Sequence, residues 1–237
     1  MAEQLGTTER ERQLREQARR TASARRLLAV VPIALMVVFT TLWAIPSTRE
    51  LATGRNEANP VELLTFGFML VAAVLSWRLA ARMWRLGHPR LVVIVFFILG
   101  LGAAIVALDE VGWGRVFVTM LEDGVTAQGN EPGAVNFTGL RNRTEFFRFG
   151  FAVIGIGGVF IDRWRQLRLF AVPKSLLPWL IVIGLESGID VIGDVVRFSG
   201  EVQDFFVRSS ELIEMMIAMV AVLYVYFKIR DLWWRIP

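Results

Sequence analysis

The chain contains no cysteine and only one histidine, His88, among its 237 residues. Without cysteine there can be neither a disulfide nor a thiolate ligand or nucleophile. A single histidine excludes a metal site built from several imidazoles and disfavours a Ser-His-Asp triad. His88 lies in a short Gly87-His88-Pro89 turn and is interpreted as an ordinary loop residue. These absences remove most metal and nucleophile chemistries.

Lysine is also scarce, because only Lys174 and Lys228 accompany the arginines that give the net charge of +4. The arginine bias indicates a GC-rich bacterial genome. The arginines are scattered between apolar runs and form no single patch, which argues against nucleic-acid binding. A basic balance of this kind is typical of membrane proteins, whose cytoplasmic loops carry the excess positive charge.

Long apolar runs dominate the sequence, which is 54% hydrophobic with a mean hydropathy of +0.50. The runs are Leu27–Pro46, Val61–Ala81, Leu91–Leu108, Phe146–Ile161, Leu176–Val196 and Phe205–Phe227. About 20 helical residues cross a hydrocarbon core of about 30 Å, so each run is long enough or nearly so. The fourth run is the shortest. The sequence predicts an all-α polytopic membrane helix bundle of six spans, with five and seven spans as the alternatives.

The N-terminal run is predicted to be an uncleaved first span. A signal peptide has an apolar core of about 7–15 residues followed by small residues at a cleavage site. This run is longer and ends in Trp43-Ala44-Ile45-Pro46. The preceding residues, 1–26, are interpreted as a basic cytoplasmic tail. Such a tail forms either a solvated helix near anionic headgroups or a docking segment for a soluble partner.

Arginine counting predicts the orientation of the spans. The tail, the connection after the second span, the connection after the fourth span and the C-terminal end are all arginine-rich. In a six-span arrangement these segments share one side, which is therefore cytoplasmic. The prediction is a transmembrane domain over residues 27–237 with both termini inside and an extracytoplasmic loop at about 109–145. The expected location is the bacterial inner membrane.

Carboxylates inside the spans are the unusual feature of this sequence. They are Asp109, Glu110, Glu186, Asp190, Asp194, Glu211 and Glu214. A charge at the centre of a membrane helix costs at least about 2.5–3.5 kcal/mol, so such residues mark functional or buried positions. Glu186, Asp190 and Asp194 are spaced four apart and share one helical stripe. Gly184 and Gly188 lie on the opposite side of the fifth span, which predicts close packing against a neighbour there.

Spans three, five and six carry these carboxylates in their outer halves, which predicts an outward-facing acidic pocket between them. Its predicted partners are Trp113, Arg115, Arg197 and Arg208. The alternative is internal ion pairing of Arg208 with Glu211, of Arg197 with Asp194, and of Arg115 or Arg148 with the remaining acids. The acids outnumber these arginines, so some are expected to be protonated, hydrated or bound to a cation. No metal or cofactor is assigned. Any metal here would be a hard, oxygen-liganded cation such as Ca²⁺, Mg²⁺ or Mn²⁺.

The stretch Asp109-Glu110-Val111-Gly112-Trp113-Gly114-Arg115 resembles a motif of a group of poorly characterised bacterial multi-spanning membrane proteins. Their third-span exit reads Glu-Glu-Ile-Ser-Trp-Gly-Gln-Arg and is followed by a loop of the type Asn-x-Gln-x-Glu-x-Asn-Leu-His-Asn-Leu. The residues of this chain that correspond to the loop are Gln128, Glu131, Asn136 and Leu140. Thr138 replaces the histidine of that loop, and Gly112 replaces the serine. The resemblance implies that the acids and Trp113 belong to one site, and it transfers no activity.

Three functional classes remain open from the sequence. The favoured one is a non-enzymatic accessory or assembly subunit that binds partner helices, lipid or pigment, because glycines line spans four and five and nucleophiles are lacking. The second is a small proton- or cation-coupled transporter. The carboxylates are confined to the outer halves of the spans, which counts against a continuous relay. The third is an intramembrane enzyme acting on a lipid-linked substrate. Membrane lipid and other membrane protein subunits are the expected partners.

Overall fold

The computed structural model describes residues 23, 26–45, 48, 60–110, 144–164, 167–196 and 199–233, and these are almost entirely helical. The helices are α1 (Arg26–Ala44), α2 (Pro60–Arg85), α3 (Arg90–Glu110), α4 (Thr144–Phe160), α5 (Leu177–Val196) and α6 (Gly200–Trp233). Single 3₁₀ turns at Ile161–Arg163, Arg168–Phe170 and Lys174–Leu176 connect α4 to α5. Most of the predicted tail and the predicted loop from residue 111 to residue 143 lie outside the described residues.

Five of the described helices are long and apolar enough to cross a membrane, as expected of a multi-pass membrane protein. Helix α4, the predicted fourth span, has only 17 residues. At 1.5 Å per residue it is about 26 Å long, shorter than a typical hydrocarbon core. The all-helical class is confirmed for the described residues, and five apolar helices of membrane length support a multi-pass membrane protein. The six-span count and the position of both termini in the cytoplasm stay predictions.

Helices α2 and α3 form a hairpin whose turn contains His88. Gly87 follows the end of α2 with φ of 71°, a left-handed conformation that glycine adopts without steric cost. The amide of His88 donates to the carbonyl of Met83 at 3.0 Å, and that of Gly87 donates to Trp84 at 3.1 Å. These two bonds form a Schellman motif, which satisfies the last carbonyls of α2. The interpretation of His88 as a turn residue is confirmed.

Helices α4 and α5 form a second antiparallel hairpin with glycines at its contact. A Cβ placed on Gly155 would lie 2.5 Å from the Leu180 side chain. A Cβ on Gly184 would lie 3.2 Å from Ala152, and one on Gly188 would lie 3.2 Å from Phe149. These glycines allow the two backbones to approach closely, which is how apolar helices associate in membranes. The predicted close packing at Gly184 and Gly188 is confirmed, and the neighbour is α4.

Contacts between distant residues show how the helix ends are arranged. The Trp179 indole at the start of α5 donates to the carbonyl of Leu28 at the start of α1, at 2.8 Å. The Tyr224 hydroxyl, late in α6, donates to Phe170 just before α5, at 3.1 Å. At the opposite end, Phe205 near the start of α6 contacts Phe39 late in α1. Consecutive helices therefore run in alternating directions around a common core.

The two ends of this bundle carry opposite charge among the described residues. The end where α1, α3 and α5 begin is called the basic end, and its charged residues are Arg26, Arg78, Arg82, Arg85, Arg90, Arg163, Arg168, Lys174, Lys228 and Arg230, with Asp162 and Asp231. The other is called the acidic end, with Glu62, Asp109, Glu110, Glu186, Asp190, Glu201, Asp204, Glu211 and Glu214, together with Arg148 and Arg208. The segregation follows the arginine distribution read from the sequence. The side of the membrane that each end faces stays a prediction.

Candidate functional site

The acidic end contains a buried ion pair between α4 and α5. The Arg148 Nη2 atom lies 2.9 Å from Asp190 Oδ2, and the exposed fractions of the two side chains are 6% and 18%. Antiparallel packing along the glycine contact brings residue 148 of α4 beside residue 190 of α5. The pair agrees with the ion-pairing alternative, in which Arg148 was one partner of the remaining acids. It neutralises one carboxylate of α5 inside the bundle.

The second carboxylate of α5, Glu186, is held by serines. Ser209 Oγ on α6 donates to Glu186 Oε1 at 2.5 Å, and Ser187 Oγ donates to Oε2 at 3.4 Å. Glu186 is only 5% exposed. The bond from Ser209 joins α5 to α6, because the side chain of Glu186 reaches across the helix contact. Buried carboxylates need such donors to offset the loss of hydration. We call Arg148, Asp190, Glu186 and Ser209 the paired group.

Arg148 has hydrogen-bonding capacity beyond its bond to Asp190. Its Nε and Nη1 atoms are buried and have no acceptor among the described residues. A guanidinium carries five N–H groups in a rigid fork, and buried donors without acceptors are rare in folded proteins. The paired group therefore has donors directed into the protein that a bound polar group could satisfy.

Carboxylates of α2, α3 and α6 form a second cluster. Glu62 of α2, Glu110 of α3, and Glu211 and Glu214 of α6 lie close enough for their charges to act on one another, and Asp109 acts on Glu110 as well. The positive charge of Arg208 acts on Glu211. We call Glu62, Glu110, Glu211 and Glu214 the acid-rich group. Like charges at short range repel, so this group favours a cation, a proton or a basic partner surface.

The carboxylates of the paired group and of the acid-rich group thus lie on different helices, and α6 contributes Ser209 to the first group and two glutamates to the second. Helix α3 contributes Glu110 to the acid-rich group, and α5 contributes Glu186 and Asp190 to the paired group. A single pocket shared by spans three, five and six stays a prediction. Trp113, Arg115 and Arg197 lie outside the described residues, as does the side chain of Asp194. The predicted ion pair of Arg197 with Asp194 therefore lies outside the described residues and stays a prediction.

A metal site requires several ligand side chains that converge on one point. Within the described part of the chain, no three histidine or carboxylate side chains are arranged so that they could hold a metal ion. The carboxylates that share the acid-rich group act on one another through their charge without converging on a common point. The expectation of a hard cation stays a prediction.

Two members of the site were missed by reasoning from the sequence. Ser209 shares one face of α6 with the buried residues Leu212, Ile213 and Met216, at helical spacing. A serine on a buried apolar stripe is a signal that a polar partner faces it. Glu62 was missed because it lies at the beginning of an apolar run, where an acidic residue is common in the first turn of a helix. Only the packing of α2 against α3 and α6 brings it to the acid-rich group.

Comparison with known proteins gives no further assignment, because no protein-family model, curated protein or solved structure matches this chain.

Proposed function

We propose that this protein is a non-enzymatic accessory subunit of a membrane assembly and that it binds a partner membrane helix through the outer face of α4. In this proposal α4 is a sixth crossing, both termini lie in the cytoplasm, and the acidic end faces away from it. The close antiparallel contact of α4 with α5 supports the sixth crossing, since it extends from Phe149 to Gly155 of α4 and is continued by Gly158 against Val172 of the connection.

The observation that carries the proposal is an open glycine furrow on α4. We define the α4 outer face as Phe146, Gly150, Val153, Ile154 and Gly157. A Cβ placed on Gly150 or Gly157 would meet nothing within 4 Å. Ile154, between the two glycines, is 78% exposed. Glycines seven residues apart lie on the same side of a helix and leave a groove that another helix can enter.

The other side of α4 explains why the outer face needs a partner. Ala152 and Gly155 pack against α5, which is the main helix covering α4 among the described residues. Lipid chains pack well against large apolar side chains, whereas glycines expose backbone and offer little contact area. Small residues on exposed membrane helices are typical of helix–helix interfaces. The partnered carboxylates Asp190 and Glu186 support a structural role for the neighbouring site.

The test is to fill the furrow in the full-length protein. Leucine at Gly150 and Gly157 is expected to prevent a partner helix from entering. A photo-reactive group at Ile154 should therefore cross-link to the partner in the wild type and not in the double-leucine variant. Gly102→Leu is the matched control, because a Cβ on Gly102 of α3 also meets nothing within 4 Å. Gly155→Leu is the control for damage to the fold, since its Cβ would clash with Leu180.

The expected result is that the Gly150→Leu/Gly157→Leu variant keeps the thermal stability of the wild type but loses the cross-linked species. Gly102→Leu should retain that species. If the photo-reactive group labels only lipid in the wild type, the proposal is wrong. A cross-link to a second copy of this chain would show that the furrow serves self-association, and the accessory role would be wrong.

A second candidate function, a proton- or cation-coupled carrier, is favoured by the acid-rich group. Four carboxylates from three helices at one end of a membrane bundle resemble the ionisable clusters that mark ion pathways. The variant Glu110→Gln in proteoliposomes is expected to reduce proton-linked flux if the protein is a carrier. Absence of flux in the wild type, or flux equal to wild type in the variant, contradicts this function.

A further inference from the structure

An arginine-lined cleft lies at the basic end, far along the bundle from the acidic groups. It encloses about 700 Å³ between α2 and the C-terminal part of α6. Its lining includes Leu75, Arg78, Leu79, Arg82 and Arg85 of α2 and Ile229 of α6. This combination of charge and shape is not explained by a partner bound at α4.

The positions of the arginines make one face of α2 basic. Residues 78, 82 and 85 follow a spacing of four and three, so at about 100° per residue their side chains leave α2 within an arc of about 60°. Over these residues the helix rises about 10.5 Å, a length that places the guanidinium groups beside one or two phosphates. Arg78 and Arg85 are exposed and Arg82 is half-buried.

The apolar residues of the cleft lie beside the arginines. Leu75 precedes Arg85 by ten residues, or about 15 Å along the helix axis. Leu79 is 1% exposed and forms the floor together with half-buried Leu75 and Ile229. A ligand in this cleft therefore meets apolar side chains next to guanidinium groups, and Leu75 extends the apolar surface toward the middle of the bundle.

We propose that this cleft binds an anionic phospholipid, with its phosphate between the arginines of α2 and an acyl chain against Leu75, Leu79 and Ile229. Guanidinium groups bind phosphate oxygens through paired N–H donors, which favours phosphate over other anions. Basic pockets between membrane helices bind anionic headgroups on the side where positive charge accumulates. The apolar floor distinguishes a lipid from free phosphate, which has no hydrocarbon to bury.

Arginines at the end of a membrane helix also orient the protein, and this role needs no cleft. The two roles predict different losses of lipid retention when basic residues are replaced. If the arginines act only through their number, removing three positive charges anywhere at the basic end weakens lipid retention equally. If the cleft binds lipid, only the arginines that line it matter.

The experiment counts lipids retained by the purified full-length protein in native mass spectrometry, with phosphatidylglycerol and phosphatidylcholine as the two probes. The variant Arg78→Gln/Arg82→Gln/Arg85→Gln is compared with Arg90→Gln/Arg163→Gln/Lys174→Gln. The second variant removes the same charge from exposed positions of the basic end. The wild type is expected to retain phosphatidylglycerol selectively.

The cleft variant is expected to bind phosphatidylglycerol about tenfold more weakly, while the control variant binds it as the wild type does. Equal loss in both variants overturns the proposal, and so does equal retention of the two lipids by the wild type. Displacement of the lipid by excess inorganic phosphate also overturns it, because the site would then recognise phosphate alone.

A variant that keeps every charge covers the case in which the triple variant does not fold. Ile229→Trp narrows the apolar part of the cleft and leaves the arginines in place. It is expected to lose the selective retention of phosphatidylglycerol. Unchanged retention in this variant overturns the proposed place of the acyl chain, and with it the binding site.

Discussion

The paired group and the acid-rich group lie at the same end of the same bundle and use the same carboxyl chemistry in opposite ways. In the paired group Asp190 meets a guanidinium at 2.9 Å and Glu186 accepts a serine hydroxyl at 2.5 Å. In the acid-rich group Glu110 faces the charges of Glu62, Glu211 and Glu214. Neutralising Asp190 or Glu186 should therefore destabilise the fold, whereas neutralising Glu110 should stabilise it.

The largest effect is expected from breaking the buried ion pair. Arg148→Gln removes the guanidinium from Asp190, whose side chain is only 18% exposed. Loss of one partner of a buried pair costs about 3–5 kcal/mol. The measurement is the free energy of unfolding in detergent micelles, followed by tryptophan fluorescence. The double variant Arg148→Gln/Asp190→Asn is the control and should be more stable than the single variant; a single-variant loss below about 1 kcal/mol contradicts the pairing.

A smaller loss is expected at Glu186. Glu186→Ala removes the acceptor of the Ser209 hydroxyl in a buried position, which costs about 1–3 kcal/mol. Glu186→Gln keeps an oxygen acceptor and should lose less. The free energy of unfolding, measured in the same way, distinguishes the alanine variant from the glutamine variant. Adding Ser209→Ala to Glu186→Ala should lower this free energy little further. Equal losses for Gln and Ala at this position would show that the hydroxyl bond does not stabilise the contact of α5 with α6.

In the acid-rich group, removing a charge should stabilise the fold. Glu110→Gln removes repulsion from four neighbouring carboxylates, Asp109 included, and should raise the free energy of unfolding by about 0.2–0.5 kcal/mol per relieved contact. The gain should shrink as salt is added, because screening weakens the repulsion in the wild type. Glu201→Gln, exposed at the start of α6, is the control that should change little. Destabilisation by Glu110→Gln would mean that this carboxylate has a stabilising partner, and the contrast between the groups would then fail.

The smallest effect is expected from an exposed ion pair at the basic end. Arg168 Nε lies 3.3 Å from Asp162 Oδ1, and the two side chains are 58% and 50% exposed. Exposed pairs contribute little, since water solvates both partners. Arg168→Gln should change the midpoint of thermal unfolding by no more than the error between repeated scans. A loss comparable to that of Arg148→Gln would show that burial is not what distinguishes the paired group.

Part of the acidic end is predictable from one helix at a time. Glu186 and Asp190 share a stripe because they are four residues apart, and the glycines at 184 and 188 predict a close contact on the other side. The partners of these residues are not predictable in this way. Arg148 and Ser209 come from different helices, and their distances to α5 depend on the antiparallel register of two separate helix contacts.

The length of α4 shows the limit of apolar periodicity. The apolar run from residue 146 to residue 161 predicts a span, and the structure has a helix there of 17 residues. Hydropathy alone does not decide whether so short a helix crosses a membrane. Its contact with α5, through Ala152 and Gly155, aligns the two helices over most of its length.

The sequence by itself determined the class of this protein and the opposite charge of its two ends. Apolar runs of membrane length and the placement of arginine are local properties of the chain, so they need no knowledge of packing. Only the tertiary structure decided that the carboxylates divide into two groups, that Glu62 joins one of them, and that arginines of α2 line a cleft beside Ile229. These features depend on which helix faces which neighbour, and that choice is made by packing between residues distant in the chain.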